Sequence, residues 1–182
     1  ALHHTLIAMA RGGMHDQVGG GFHRYSTDNA WLVPHFEKML YNQAQLGQIY
    51  LDGWLLSGDT ELKRVVVRTL DYVLRELQAE EGGFFSATDA DSEGGEGHFF
   101  IWQIQELIER LGPEASAPLI EWYGMSEGGN FEGANIPFLA TGLTSTQWQQ
   151  LDDLNQQLYR IRQQRSQPFL DRKRVTAWNG MM

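Results

Sequence analysis

Apolar residues recur at helical spacing in two consecutive segments of the first half of the chain. Residues 35–57 follow Pro34, a residue favoured at the first position of a helix. Residues 60–77 carry one clean apolar stripe, made of Leu62, Val66, Leu70, Val73 and Leu77. Ser57, Gly58 and Asp59 supply a stop, a turn and an N-cap between the two segments. The pattern predicts an antiparallel helical hairpin, the usual unit of an all-α fold.

The second half of the chain alternates between a segment without helical period and further helices. Residues 82–102 place aromatic pairs on both sides of a glycine-rich acidic loop, which predicts a small β-hairpin or an ordered loop. Helices are predicted at residues 104–111, 116–123 and 144–164. The whole chain therefore predicts about six helices and no long strand.

A Gly-Gly turn followed by aromatic residues occurs three times. The turns begin at Gly20, Gly82 and Gly128 and lie 62 and 46 residues apart, about the length of one helical hairpin with its loop. A repeated unit of this kind usually builds a closed or stacked array. We therefore expect the three loops to gather at one end of the molecule.

The net charge and the composition of the chain limit the kinds of molecule that it can bind. The 182 residues carry a net charge of -9, and a phosphate backbone would require clustered Lys and Arg, so no nucleic-acid partner is predicted. No apolar stretch approaches the ~20 residues that cross a bilayer, and no leader peptide is evident, so we expect a soluble, cytoplasmic protein without a membrane partner. The absence of cysteine excludes disulfides, thiolate ligands and thiol nucleophiles. Because the chain begins inside an apolar run without an initiator Met, we expect it to be a piece of a larger protein.

Four blocks of sequence resemble a known family. They are DQVGGGFHRYS at residues 16–26, WLVPHFEKMLY at 31–41, DADSEG at 89–94 and WNG at 178–180. In this order they are similar to the signature blocks of the thioredoxin-domain-containing proteins related to spermatogenesis-associated protein 20. The resemblance implies that residues 1–182 form about half of an (α/α)6 toroid barrel, related to the N-acylglucosamine 2-epimerases.

The resemblance also implies what the chain lacks. Full-length relatives carry a thioredoxin-like domain before the barrel and further hairpins after these residues. Half a barrel is expected to expose apolar surface unless the piece forms a homodimer or rearranges.

In such a barrel the loops face a central funnel, where His23, Arg24, His35 and Glu37 could meet a polar ligand. A sugar epimerase or isomerase needs a base and an acid beside the carbon next to a carbonyl, and histidine suits both roles. We expect His23 and His35 to transfer the proton, Glu37 to orient an imidazole and Arg24 to hold a substrate oxygen. The alternative is that His35 and Glu37 only cap the start of a helix.

Asp89 and Asp91 are further catalytic candidates, because paired carboxylates serve glycoside hydrolysis. Their loop is no EF-hand, since the twelfth residue counted from Asp89 is Phe100 where calcium needs Glu. The alternative is an acidic, solvated turn.

Aromatic residues near the motif loops suit the apolar faces of a sugar, although such residues are more often core. The predicted substrate-binding residues are Arg24, Tyr25, Trp31, Trp178 and Asn179, with Trp102 as a further aromatic candidate.

Neither a metal nor a cofactor is predicted. The histidines form no i, i+4 pair and no HExxH motif, and no Lys-Ser/Thr follows the glycine turns as a phosphate-binding loop requires. The leading hypothesis is an epimerase or isomerase acting on a sugar. The alternatives are a binding barrel that presents a client to the thioredoxin-like domain, and a glycoside hydrolase that uses Asp89 and Asp91.

Overall fold

The computed structural model describes residues 1–182 and is rich in helix, as the periodicity predicts. The helices are α1 (Leu2–Arg11), α2 (Leu40–Ser57), α3 (Thr60–Tyr72), α4 (Ile104–Leu111), α5 (Pro113–Trp122), α6 (Ser145–Arg162) and α7 (Thr176–Asn179). A π-helical turn, Val73–Leu77, continues α3. Seven two-residue strands complete the elements: β1 (Tyr25–Ser26), β2 (Pro34–His35), β3 (Lys38–Met39), β4 (Ala87–Thr88), β5 (Asp91–Ser92), β6 (Gly95–Glu96) and β7 (Leu170–Asp171).

The predicted hairpin of α2 and α3 is confirmed. Gly58 ends α2 in the left-handed conformation, with φ of +72°. The side chain of Asp59 then caps α3 by accepting a hydrogen bond from the Glu61 N–H at 2.9 Å. The predicted α3 stripe is buried except at Leu70, which is 40% exposed.

The start of α2 was predicted wrongly. The helix begins at Leu40, whereas Pro34 and His35 form β2 and pair with β1. Lys38 and Met39 form β3 and pair with β4. Each pairing satisfies backbone groups that would otherwise have entered a helix, so tertiary pairing outweighs the local preference. Neither His35 nor Glu37 therefore opens or caps a helix.

The loops that contain the Gly-Gly turns contact one another. Strand β4 pairs with both β3 and β7 in a three-stranded antiparallel sheet, and β5 and β6 form the hairpin predicted within residues 82–102. The ring of Phe36 stacks on Phe100 at 5.7 Å and meets Phe131 at 5.6 Å. These contacts join the loop before α2 to the segments on either side of α4 and α5.

The two largest apolar clusters hold helices α1 to α6 together. One surrounds Phe22, Tyr50 and Leu62 and joins α1 to the α2–α3 hairpin. The other surrounds Trp102, Leu119 and Leu158 and joins α4, α5 and α6. Apolar side chains also remain on the surface, with Leu56 of α2 87% exposed. No helix combines the length and the apolar character that crossing a membrane requires.

Gly20 is expected to be intolerant of a side chain. Its φ is +76°, and a Cβ there would overlap the backbone carbonyl of Arg68 on α3. Left-handed backbone costs a residue with a Cβ about 1–2 kcal/mol, and overpacking adds about 1–3 kcal/mol. Gly20→Ala should therefore lower the free energy of unfolding in urea by the sum of both effects.

Gly58→Ala is the matched control for this substitution. Gly58 has a similar φ of +72°, but nothing lies within 4 Å of the added Cβ. Gly58→Ala should therefore lower the free energy of unfolding by the cost of the left-handed backbone alone. Equal losses in the two variants would contradict the steric explanation.

Candidate functional site

A cluster of polar side chains lies where the β1–β2 pair meets the β5–β6 hairpin. At its centre the side chain of His35 is 25% exposed, and its Nδ1 lies 2.6 Å from Oε1 of Glu96. The same oxygen of Glu96 accepts the Phe36 N–H at 3.2 Å. The carboxylate therefore holds both the imidazole and the backbone next to it.

This contact defines which ring nitrogen of His35 carries the proton. An ionised carboxylate only accepts hydrogen bonds, so Nδ1 is the donor and Nε2 keeps its lone pair in the neutral ring. Nε2 lies 3.7 Å from Oε2 of Glu37, too far for a hydrogen bond. Nε2 of His35 thus lies near the carboxylate of Glu37 but makes no hydrogen bond to it.

Arg24 and Tyr25 complete this cluster. Arg24 donates to Oε2 of Glu37 at 2.8 Å. The ring of Tyr25 stacks on the imidazole of His35 with centroids 5.0 Å apart, and Tyr25 remains 50% exposed. The fold thus brings together four residues that the sequence analysis selected, and adds Glu96, which it missed.

Sequence spacing gave no sign of Glu96. It lies 61 residues beyond His35, inside an acidic, glycine-rich loop in which several carboxylates look alike. Only the pairing of Glu96 with Asp91 in the β5–β6 hairpin distinguishes it.

His23 lies in the core and not at this surface. It is 2% exposed, its Nδ1 lies 2.8 Å from the carbonyl oxygen of Phe36, and its ring packs against Phe36 and Phe100. Burial, followed by the charge of Lys38, lowers the pKa of His23 to about 3. A neutral, enclosed imidazole of this kind has no access to a substrate at the His35 surface.

Asp89 and Asp91 are both exposed and belong to a turn. The Oδ1 of Asp89 accepts the Ala90 N–H at 2.7 Å and the Asp91 N–H at 3.4 Å, and Asp91 begins β5. This arrangement matches the alternative of a solvated acidic turn.

The remaining candidates make structural contacts. Trp31 packs against the cluster around Phe22, and Trp178 meets the ring of Tyr41 at 5.0 Å. Asn179 accepts the Phe84 N–H at 2.7 Å and donates to the Phe84 carbonyl at 3.1 Å, which tethers α7 to the loop before β4. Trp102 is completely buried.

A buried ionic network, which the sequence analysis did not anticipate, lies beneath the glycine turn. Asp16 receives two hydrogen bonds of 2.8 Å from Arg162 and one of 2.7 Å from Lys38. Its Oδ1 also accepts the N–H groups of Val18 and Gly19, each at 3.0 Å. The side chains of Asp16, Lys38 and Arg162 are at most 4% exposed.

The charges of this network shift one another. Burial raises the pKa of Asp16, but Arg162 and Lys38 outweigh it and hold that pKa well below its ordinary value. Burial lowers the pKa of Lys38 to about 8, although Asp16 opposes the change. Asp16 and Lys38 stand inside the signature blocks, whereas the apolar pattern of α6 gives no sign of Arg162.

Comparison with known proteins places the chain beside longer relatives. No protein-family model matches it. It is similar to spermatogenesis-associated protein 20 of Homo sapiens and of Rattus norvegicus, each 40% identical over 98% of this chain. An uncharacterized protein of Caenorhabditis elegans is 33% identical over 99% of the chain. The chain spans 27% of the length of the human and rat relatives and 29% of the nematode one. These similarities support the family that the signature blocks indicate.

Proposed function

We propose that this chain contributes to a carbohydrate-active site in which His35 transfers a proton, as a sugar epimerase or isomerase requires. The observation that carries the proposal is the contact of 2.6 Å between His35 Nδ1 and Glu96, which leaves Nε2 free. In this proposal the site belongs to an (α/α)6 barrel, which longer relatives combine with a thioredoxin-like domain. The helical hairpin and the contacts between its loops support that architecture.

His35 acts as the base in this proposal. A carboxylate that accepts from Nδ1–H fixes the tautomer and the orientation of the ring, so that Nε2 can take a proton. Nε2 removes the proton from the carbon next to the carbonyl of the open-chain sugar. The hydroxyl proton of that carbon passes to the former carbonyl oxygen, and the same nitrogen returns its proton to the former carbonyl carbon, which completes an isomerisation between aldose and ketose.

Arg24 and Tyr25 serve substrate binding. The side chain of Arg24 is 43% exposed although it bonds to Glu37. Its remaining N–H groups can therefore donate to a carbonyl or hydroxyl oxygen of the substrate. The half-exposed ring of Tyr25 offers an apolar surface of the kind on which sugar rings pack.

Exchange of the α-hydrogen in deuterated water tests the proposal. The full-length protein is incubated with a panel of mono- and disaccharides, and deuterium incorporation is followed by NMR. His35→Gln should slow exchange by about 10²–10⁴-fold, the usual contribution of a general base. Glu96→Gln should also slow exchange, because a neutral amide can donate as well as accept and no longer fixes the ring tautomer that leaves Nε2 free.

Glu93→Gln is the control, since Glu93 lies in the same hairpin loop and bonds to Ser166 rather than to His35. It should leave the rate unchanged. Absence of exchange with every sugar, or equal rates in wild type and His35→Gln, would overturn the proposal and favour a non-catalytic binding barrel.

A further inference from the structure

An open groove of about 620 Å³ runs between helices α3 and α6. Arg64 of α3 pairs with Asp152 of α6, and further along both helices the guanidinium of Arg75 lies 4.4 Å from the ring centre of Tyr159. The two walls of the groove are therefore helices that run side by side in the same direction. No residue of the His35 cluster lines the groove, so it is a second site and does not depend on the function proposed above.

The walls of this groove carry more positive than negative charge. Asp71 and Asp152 are the carboxylates that line it. The cationic side chains that line it are Lys63, Arg64, Arg68, Arg75 and Arg160. The carboxylate of Glu76 lies 2.8 Å from Arg75 and offsets a third positive charge. Two positive charges therefore remain, although the whole chain has a net charge of -9. Such a local excess attracts negatively charged partners to the groove.

The cations that are left over are open to solvent. Asp152 pairs with the two arginines in the middle of the groove, and Glu76 pairs with Arg75. Lys63 and Arg160 lie outside these ion pairs, and both side chains belong to exposed residues. Their charged groups can therefore bind an acceptor from outside the chain.

These two cations lie towards opposite ends of the groove. Lys63 belongs to the first turn of α3, whereas Arg160 belongs to the last turn of α6, next to Tyr159, which bonds to Arg75. At 1.5 Å per residue, the helix from Lys63 to Arg75 is about 18 Å long. An extended peptide rises about 3.3 Å per residue, so roughly five or six residues cover this distance. A small anion would reach one end only.

The middle of the groove favours uncharged residues in such a peptide. Asp71 and Asp152 lie between the two ends and repel further negative charge. Gln156 is exposed, and its amide can both donate to and accept from a peptide backbone. Val67 is 48% exposed and offers an apolar contact.

We propose that the groove between α3 and α6 binds an extended peptide segment with acidic residues at both ends and uncharged residues between them. One acidic end binds Lys63, and the other binds Arg160. The backbone of the middle residues bonds to Gln156. A continuous phosphate backbone would bring negative charge against Asp71 and Asp152 as well, which is why a peptide fits better than a nucleic acid.

Titration of the protein with synthetic peptides, followed by amide NMR, tests the proposal. The capped peptide EEGSGSEE should bind saturably and shift residues of α3 and α6, and its affinity should fall as salt is added, because exposed charges are screened. QQGSGSQQ should not bind. GSEEEEGS has the same composition and charge, but its acids fall beside Asp71 and Asp152, so it should bind about two- to fivefold more weakly.

Substitutions on both walls identify the cations involved. Lys63→Gln and Arg160→Gln should each weaken binding of EEGSGSEE about two- to fivefold, the contribution of one exposed ion pair. Asp71→Asn should strengthen binding by a similar factor, because a repulsive charge is removed. Arg172→Gln is the control, since Arg172 is exposed and does not line the groove, and it should leave the affinity unchanged.

Four results would contradict the proposal. They are an absence of saturable binding by EEGSGSEE, equal binding of EEGSGSEE and GSEEEEGS, equal affinity in wild type and the double variant Lys63→Gln/Arg160→Gln, and tighter binding of a single-stranded oligonucleotide of the same length than of EEGSGSEE.

Discussion

Asp16→Ala is expected to lower the free energy of unfolding by about 3–5 kcal/mol, the usual cost of breaking a buried ion pair from one side. The substitution leaves Lys38 and Arg162 as two buried cations without their counter-ion, and it also removes the acceptor of the Val18 and Gly19 N–H groups. Urea unfolding followed by circular dichroism at pH 7 measures the loss.

Two further variants show where this loss originates. Asp16→Asn keeps an acceptor for the backbone but removes the charge, so it should recover only part of the stability. Asp153→Ala removes an exposed carboxylate from α6 and should change the stability by less than about 0.5 kcal/mol. If Asp16→Ala cost no more than Asp153→Ala, the network would have no role in holding the core.

Stability is expected to fall steeply as the pH drops below about 6.5, because two buried histidines stay neutral in the folded protein. Burial is the main cause in both. It lowers the pKa of His23 to about 3 and that of His15 well below its ordinary value. The unfolded chain takes up these two protons near the ordinary histidine pKa, so acid favours unfolding.

The size of the effect follows from the number of protons. Each extra proton bound by the unfolded chain costs about 1.4 kcal/mol of stability per pH unit, so two histidines give about 2.7 kcal/mol per unit below pH 6. The stability contributed by the two neutral histidines is complete above pH 6.5 and is lost as the pH falls. The depressed pKa of Asp16 adds a loss in the same direction only below about pH 4.

Urea unfolding at pH 7.5, 6.0 and 5.0 measures this slope. His23→Gln is expected to reduce this slope by the contribution of one of the two protons, even if the variant is less stable at every pH. His98→Gln removes an exposed histidine and should leave the slope unchanged. Identical slopes for wild type and His23→Gln would show that His23 is protonated in the folded state.

The His35 cluster shows which part of a site a sequence can indicate. His35, Glu37, Arg24 and Tyr25 were selected because they are polar or aromatic residues in glycine-rich or motif segments. The partner of His35 was missed, since no local rule distinguishes Glu96 from the other acids of its loop. His23 was selected on equal grounds, yet the rings of Phe36 and Phe100 enclose it.

The helices and their hairpin follow from local patterns, because a stripe at helical spacing buries one face whatever the helix packs against. Residues 60–77 and 144–164 were therefore predicted correctly within a few positions. The extended backbone at His35, the burial of Lys38 and the contact with Glu96 depend on pairing between segments distant along the chain. Such pairing, and the burial of each side chain, exist only once the chain has folded, and they leave His35 partly exposed while they enclose His23.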